Sequence, residues 1–271
     1  MTKQSRIGAI SAELFAVLTS GRQLVPFSRR YVEFDLAEAY LVVDAVRLLR
    51  DKGGERPVGR KIGFTNKAVW GSLGIASPIW NFVYDRSVRD GSTTVAEFPL
   101  QGLPEPRIEP EVVLHLWEEP SSRMSDRELL SCIDWIAPAF EIVSSVFPGW
   151  HFSAADAAAA FGLHAGLVLG TKLRVDEMGV NAMSELSSFG IELTCGDDTR
   201  RGNAKHILGG PLAALRYLIE EIARHSNCKA LRRGELVATG TLTEAMPALP
   251  GATWRVRFSG IGLQSVHVSL V

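Results

Sequence analysis

The first fifty-odd residues carry apolar side chains at helical spacing. The first predicted helix has an apolar stripe formed by Ile7, Ile10, Leu14, Val17 and Leu18. A second helix is predicted to begin at Asp35, whose carboxylate can cap the free amides of the first turn, with Glu38 three residues later. Gly53 and Gly54 end this helix, because glycine adopts the left-handed geometry of a C-cap. We therefore predict a helical N-terminal segment over residues 1–56.

After Pro57, short apolar runs alternate with turn residues, which is typical of strands. Strands are predicted in the stretches 112–116, 236–239, 254–258 and 266–270. Two helices interrupt them. One begins with the capping box of Ser125 and Glu128 and is expected to continue to Pro138, and the other begins at Gly210 and Pro211. The pattern predicts an α+β protein in which residues 57–271 form a mixed β-roll or barrel-like core with outer helices.

Composition and charge narrow the classes of function. The chain has 271 residues, of which 46% are hydrophobic and 22% are charged, and its net charge is −1. This near-neutral balance gives no electrostatic reason to bind nucleic acid or an anionic membrane. The most apolar stretch, residues 157–170, is shorter than the roughly 20 residues that a membrane span needs. Three scattered cysteines form no Cys-x-x-Cys pair, so neither a zinc site nor a disulfide framework is supported and we expect a cytoplasmic protein.

Two glutamates give the best local signal for chemistry. Glu109 and Glu111 lie two residues apart in a predicted strand, so their side chains point to one face, about 6–7 Å apart. Like charges held this close are unfavourable unless a cation lies between them. Carboxylate oxygens without imidazole or thiolate suit Mg²⁺ or Mn²⁺. The alternative interpretation is a solvated strand face.

A third carboxylate is needed for a metal held by the protein, and Glu141 is the candidate. It is the one acid in the apolar run 137–143, and an acid buried without a partner is unfavourable. Its partner would be either a metal ion or a buried lysine or arginine.

Four basic side chains are further candidates. Lys61 lies between glycines and could act as an acid, a base or an electrostatic clamp, although an exposed strand lysine is the alternative. Arg107 could bind a carboxylate through two hydrogen bonds, or form a surface ion pair with a neighbouring glutamate. His151 and His164 are each open to a catalytic or a purely structural role.

Taken together, several stretches resemble the fumarylacetoacetate hydrolase superfamily, specifically its 2-keto-4-pentenoate hydratase and 4-oxalocrotonate decarboxylase branch. They occur in the same order over about residues 55–271, and a helical N-terminus is also typical of this branch. The matching stretches are 59–63, 78–80 with 83–85, 106–111, 136–143, 208–212, 234–243 and 260–262.

The resemblance implies mixed strands rolled around an active site, with helices outside. It implies Mg²⁺ or Mn²⁺ held by Glu109, Glu111 and Glu141, with Lys61 reaching the substrate and Arg107 bordering the pocket. The substrates of the family are 2-oxo acids or their enols. Membership would also be in keeping with a homo-oligomer that acts in the breakdown of aromatic compounds.

The chain departs from this family in one segment. Family hydratases often carry polar residues after an aspartate that corresponds to Asp156, whereas here Ala157–Ala160, Phe161 and Leu163 follow. We expect these residues to form an apolar wall, which would make 2-hydroxypenta-2,4-dienoate a poor hydration substrate. Asp156 and His151 are then the candidates for acid–base catalysis, beside Lys61 and Arg107.

The predicted function is that of a Mg²⁺-dependent lyase acting on a 2-oxo acid or its enol. The reaction would be hydration of a 2-hydroxy-2,4-dienoate or decarboxylation of an unsaturated 2-oxo diacid. Two alternatives stay open, namely a hydrolase that cleaves a C–C bond of an acylpyruvate and a non-catalytic partner subunit of such an enzyme.

Overall fold

The computed structural model describes residues 2–18, 20–67, 70–73, 77–225 and 228–271. The helices in these ranges are α1 Lys3–Val17, α2 Phe27–Arg30, α3 Leu36–Lys52, α4 Trp70–Leu73, α5 Asp126–Ser131, α6 Ala154–Ala159, α7 Ala182–Ser188 and α8 Pro211–Arg224. The strands are β1 Pro57–Gly63, β2 Ile79–Tyr84, β3 Val88–Asp90, β4 Ala96–Phe98, β5 Arg107–Leu116, β6 Ile133–Val143, β7 His164–Leu169, β8 Leu173–Arg174, β9 Gly190–Cys195, β10 Asp198–Asn203, β11 Leu236–Ala238, β12 Met246–Pro247, β13 Thr253–Ser259 and β14 Val266–Leu270. None of the helices in these ranges is long and apolar enough to cross a membrane.

The N-terminal helices form as their sequence signals predict. The Asp35 carboxylate accepts a hydrogen bond from the backbone N–H of Glu38, and Gly53 is the C-cap of α3. The buried side chains of α1 and α3, among them Ile10 and Val43, belong to the same hydrophobic core as those of the later strands. The helical segment therefore packs on the β-rich part, and the domain division at residue 56 stays a prediction.

The helix predicted to continue to Pro138 is shorter than expected. The capping box of Ser125 and Glu128 forms, but α5 ends at Ser131, and residues 133–143 are the long central strand β6. Pro138 is tolerated there because it lies where the strand beside β6 changes. From Ala139 onwards β6 pairs with β7, and up to Ile136 it pairs with β8. The Pro138 carbonyl accepts from the N–H of Gly170 at this break, so the missing proline N–H leaves no ladder bond unmade.

The strands of the described ranges form two sheets. The larger sheet is curled like half a barrel, in the order β2-β1-β11-β5-β6-β7-β3, with β12 beside β5 and β8 beside β6. The second sheet has the order β10-β9-β13-β14-β4. This arrangement confirms the predicted α+β class with a rolled β core and outer helices.

The two faces of the curled sheet differ in what they bury. The outer face of β5, with Ile108 and Val112, packs into the large core shared with the helices. Side chains of the opposite parity point inside the curl, where one end is filled by a small apolar cluster: Val83, Val113, Ala139, Leu167, Leu236 and Ala238. Side chains along a strand alternate between its two faces, so Glu109 and Glu111 lie on the same face as Val113. Both carboxylates are therefore inside the curl, at its other end.

A close approach between strands brings β1 into this curl. Gly59 of β1 pairs with Leu236 of β11, and a Cβ atom built at Gly59 would lie 2.2 Å from the Leu236 carbonyl oxygen. No such separation is tolerated, and the obstructing atom is backbone that cannot turn aside. The glycine therefore sets the spacing of β1 and β11, two residues before Lys61.

We expect Gly59→Ala to destabilise the fold by about 1–3 kcal/mol or more, because the added methyl forces two paired strands apart. The matched control is Gly8→Ala on the exposed side of α1, where an added Cβ meets no atom within 4 Å. That control should raise stability by about 0.5–1 kcal/mol, since alanine favours helix over glycine. Urea unfolding followed by circular dichroism measures both, and an unchanged midpoint for Gly59→Ala would contradict the spacing argument.

Candidate active site

A cavity of about 490 Å³ opens at the polar end of the curl. Four of the side chains singled out in the sequence line it: Lys61, Arg107, Glu109 and His151. Glu111 and Glu141 are fully buried and lie beside Glu109. The structure therefore gathers the three glutamates, Lys61, Arg107 and His151 around one space.

The three glutamates are brought together by strand register. Glu109 lies directly opposite Glu141 in the antiparallel pairing of β5 with β6, and Glu111 lies two residues further on the same face. One carboxylate oxygen from each lies within 4.8 Å of the other two. A solvated strand face is thus excluded for the Glu109–Glu111 pair, since Glu111 is 0% exposed and Glu109 is half-buried.

Lys61 is the cation that faces this cluster. Its side chain is 3% exposed, so the alternative of an exposed strand lysine is wrong. Lys61 Nζ lies 3.2 Å from Glu141 Oε2 and donates a hydrogen bond to the Gly162 carbonyl at 3.1 Å. Burial alone would lower the pKa of Lys61, but the charges of the glutamates, Glu141 foremost, raise it above its ordinary value.

Glu141 is held from its other side by a histidine. His164 Nδ1 lies 2.7 Å from Glu141 Oε1, and His164 Nε2 lies 2.9 Å from Ser87 Oγ. Burial works against ionisation of Glu141, but Lys61 and His164 together lower its pKa to about 2. Glu141 therefore stays a carboxylate although it is buried.

The other two glutamates are less well compensated. Burial raises the pKa of Glu109 to about 7, although Lys61 opposes the shift. Burial and the charges of Glu141 and Glu109 raise the pKa of Glu111 well above its ordinary value. Among the described residues, the charges of Lys61 and Arg107 therefore offset only part of the cost of burying these carboxylates.

Two carboxylate oxygens of the cluster lack hydrogen bonds. Glu111 Oε2 accepts from the backbone N–H of Gly240 at 3.0 Å. In the part of the chain that the structure describes, Glu111 Oε1 and Glu141 Oε2 have no hydrogen-bond partner, although both are buried. Buried oxygens normally have partners, and hard oxygen donors at this separation suit a Mg²⁺-like ion. The donor set therefore fits a divalent cation.

Arg107 and His151 lie on the cavity wall away from the buried pair. The Arg107 guanidinium stacks over the Trp150 ring, 4.2 Å from its centroid. Within the described ranges it forms no ion pair, so the alternative interpretation of Arg107, a surface pair with Glu105 or Glu109, is not observed. Glu105 instead accepts hydrogen bonds from Gln23 and from the N–H of Gly149. Arg107 therefore lines the cavity without a carboxylate partner among the described residues.

Asp156 is the predicted site residue that the structure places elsewhere. It is fully buried and its carboxylate accepts hydrogen bonds from the backbone and hydroxyl groups of Ser28 and Ser153. The reason is local, because Ser153 and Asp156 form the capping box that begins α6. Its hydrogen-bonding capacity is used in the scaffold, and it does not line the cavity.

The apolar segment after Asp156 also differs from expectation. The alanines 157–160 pack into the core, and only Gly162 and Leu163 of this segment reach the cavity. An apolar wall does exist, but it is built by other side chains, including Phe64, Ile79 and Phe152. The expectation of slow hydration of short dienoates therefore stays a prediction that depends on these residues.

Several contacts were beyond the reach of sequence reasoning. The Gly162 carbonyl that holds Lys61 is 101 residues away in the chain, and the Gly240 amide that holds Glu111 is 129 residues away. Backbone donors and acceptors carry no residue-type signal. His164 was visible as a polar residue in an apolar run, but only the pairing of β6 with β7 places it beside Glu141.

The chain resembles characterised proteins along nearly its whole length. It is 30% identical over 258 residues to 2-keto-4-pentenoate hydratase 1 of Dechloromonas aromatica, covering 94% of each chain. It is 29% identical over 231 residues to a 4-oxalocrotonate decarboxylase of Pseudomonas sp., covering 84% of each. No family model matches the chain.

A solved structure shows the same fold. The 4-oxalocrotonate decarboxylase of Pseudomonas putida G7, complexed with magnesium and adipate, superposes with a TM-score of 0.89 at 20% identity, covering 100% of this chain and 99% of that one. The shared fold, the order of the matching sequence stretches and the identity to the hydratase all indicate the same family. The chain belongs to the family of the 2-keto-4-pentenoate hydratases, and it is also similar to 4-oxalocrotonate decarboxylases in sequence and fold.

Proposed function

We propose that this chain is a Mg²⁺-dependent lyase that acts on a 2-oxo acid or its enol. Its reaction is hydration of a 2-hydroxy-2,4-dienoate or decarboxylation of an unsaturated 2-oxo diacid. The observation that carries the proposal is the group of three glutamates beside a buried lysine at the end of an enclosed cavity. The names of the similar enzymes support the substrate class.

The residues that would hold the metal are Glu109, Glu111 and Glu141, and Mn²⁺ shares the same preference for oxygen ligands. When bound, the ion supplies electrostatic stabilisation of negative charge that develops on the 2-oxo oxygen of a substrate. The cavity volume of about 490 Å³ is of the size that encloses a small organic acid.

Lys61 has the position of a proton-transfer or clamping group. Its ammonium is buried at the cavity end, is held by Gly162 and faces the metal ligands. A fixed ammonium can stabilise a substrate carboxylate, or donate a proton to carbon or oxygen at a defined place. Arg107 and His151 lie further along the wall, where they can contact the rest of the substrate.

The wider setting is proposed from the family alone. We expect a cytoplasmic homo-oligomer that takes a small-molecule substrate in the breakdown of aromatic compounds. Sedimentation of the purified chain would establish the oligomeric state.

The function is tested with the purified chain, Mg²⁺ and four substrates of three classes: 2-hydroxypenta-2,4-dienoate and a longer homologue, an unsaturated 2-oxo hexenedioate, and an acylpyruvate. We expect hydration or CO₂ release, with the five-carbon dienoate slower than its longer homologue. Cleavage of the acylpyruvate alone would replace the lyase by the C–C hydrolase. Intact Mg²⁺ binding without turnover of any substrate would favour the non-catalytic subunit.

Glu111→Gln should weaken Mg²⁺ binding by at least about tenfold, since loss of a group that merely supports a ligand already has that effect. Glutamine can still accept from the Gly240 N–H, so the fold should be kept. Calorimetric titration with Mg²⁺ measures the change. Glu97→Gln, at an exposed position of β4, is the control and should bind like the wild type. Equal affinity in both variants would remove Glu111 from the metal site.

Lys61→Met should lower turnover by about 10²–10⁴-fold, the range that a positioned acid–base group typically contributes. Methionine fills the buried space without the charge. Mg²⁺ affinity should be kept or raised, because a cation that competes for Glu141 is removed. Steady-state kinetics and calorimetry measure the two effects, with exposed Lys205→Met as the control. Wild-type turnover in Lys61→Met would show that the lysine only balances charge.

A further inference from the structure

One short segment contacts both members of the buried Lys61–Glu141 ion pair. Phe161, Gly162 and Leu163 have φ angles of 59°, 60° and 65°, a left-handed run that is unfavourable for the two residues with side chains. The run presents the Gly162 carbonyl to Lys61 Nζ, and the next residue, His164, reaches Glu141 Oε1. The strained backbone thus aims two groups at one ion pair.

The orientation of His164 is fixed from behind. Ser87 Oγ lies 2.8 Å from the Tyr84 carbonyl oxygen and 2.9 Å from His164 Nε2, so the serine is itself held in place and forms a hydrogen bond with the far nitrogen of the ring. The other ring nitrogen, Nδ1, forms a hydrogen bond with Glu141 Oε1 at 2.7 Å. Both ring nitrogens are therefore engaged, and the ring cannot turn without breaking two hydrogen bonds.

The consequence concerns which oxygen of Glu141 is available. Oε1 is bound to His164, whereas Oε2 has no hydrogen bond within the described residues and lies on the side of Lys61. We propose that His164 is a positioning residue, which fixes the Glu141 carboxylate so that Oε2 faces the cation site shared with Glu109 and Glu111. This inference rests on the metal site of the proposed function.

Two amide substitutions separate positioning from packing. The side-chain amide of His164→Asn can occupy the place of Nδ1 and still contact Glu141, whereas that of His164→Gln reaches the place of Nε2 and contacts Ser87 instead. We expect His164→Gln to weaken Mg²⁺ binding by about tenfold or more, as is typical when the support of a metal ligand is lost. His164→Asn should bind nearly as the wild type does.

The control is a second histidine–carboxylate pair outside the cavity. His115 Nδ1 lies 2.6 Å from Asp134 Oδ1, so His115→Gln breaks a similar contact and should leave Mg²⁺ affinity unchanged. Thermal unfolding of every variant reports the state of the fold. Should His164→Gln fail to fold, Ser87→Ala provides the test. It keeps the His164 ring but removes the hydrogen bond that fixes the orientation of the ring, so it should also weaken Mg²⁺ binding.

Each result of the Mg²⁺ titrations has one meaning. Selective loss in His164→Gln, or loss in Ser87→Ala with the fold intact, supports the positioning role. Wild-type affinity in the folded variants, or the same loss for Gln and Asn, overturns it, since the latter would show that only ring packing matters. A wild-type chain that does not bind Mg²⁺ contradicts the proposed metal site itself, which is a different failure.

Discussion

The structure depends on the confinement of three carboxylates in one low-dielectric space. Glu109, Glu111 and Glu141 would repel one another strongly if all were ionised, and Lys61 alone does not balance them. The surrounding chain holds one oxygen of Glu111 through the Gly240 N–H and one oxygen of Glu141 through His164. Glu141 Oε2 lies 3.2 Å from the Lys61 ammonium, and Glu111 Oε1 has no hydrogen-bond partner among the described residues. The repulsion between these carboxylates lowers the stability of the fold, and a bound divalent cation would relieve it. Local destabilisation of this kind is expected at functional sites.

The curled sheet makes this confinement possible. On a flat sheet, the side chains of β5 and β1 would project parallel to one another and stay apart. The curl instead directs Glu109 and Lys61 towards a common centre. The small apolar cluster around Val113 and Ala139 closes the opposite end, so water reaches the charges from the cavity side. Close packing of β1 against β11, permitted by Gly59, keeps the lysine near the glutamates. The chemistry of the site is thus built from backbone spacing as much as from side-chain type.

Sequence patterns predicted those parts of the molecule that follow local rules. The capped helix at Asp35, the capping box at Ser125 and the shared face of Glu109 and Glu111 all follow from short-range geometry, and all are present. The apolar spacing of residues 133–136 suits a helix, yet pairing with β5 and β8 makes this stretch a strand. The family position of Asp156 predicts a catalytic role, whereas the local capping box with Ser153 uses its carboxylate in the scaffold. Contacts made through tertiary pairing, such as that of His164 with Glu141, have no counterpart in the linear pattern.

Pro138 has a consequence beyond its tolerance in a central strand. Between the end of β7 and the start of β8, residues 170–172 cross beside β6 without pairing as a strand. Gly170 packs directly on Pro138, because a Cβ atom built at Gly170 would lie 2.8 Å from Pro138 Cγ, and its N–H donates to the Pro138 carbonyl. Pro138 is buried under this crossing, so any other residue at this position would bring a backbone N–H donor into the interior at a point where the ladder changes partners. Proline removes that donor, and the strand that carries Glu141 continues past the break without a buried N–H in need of an acceptor.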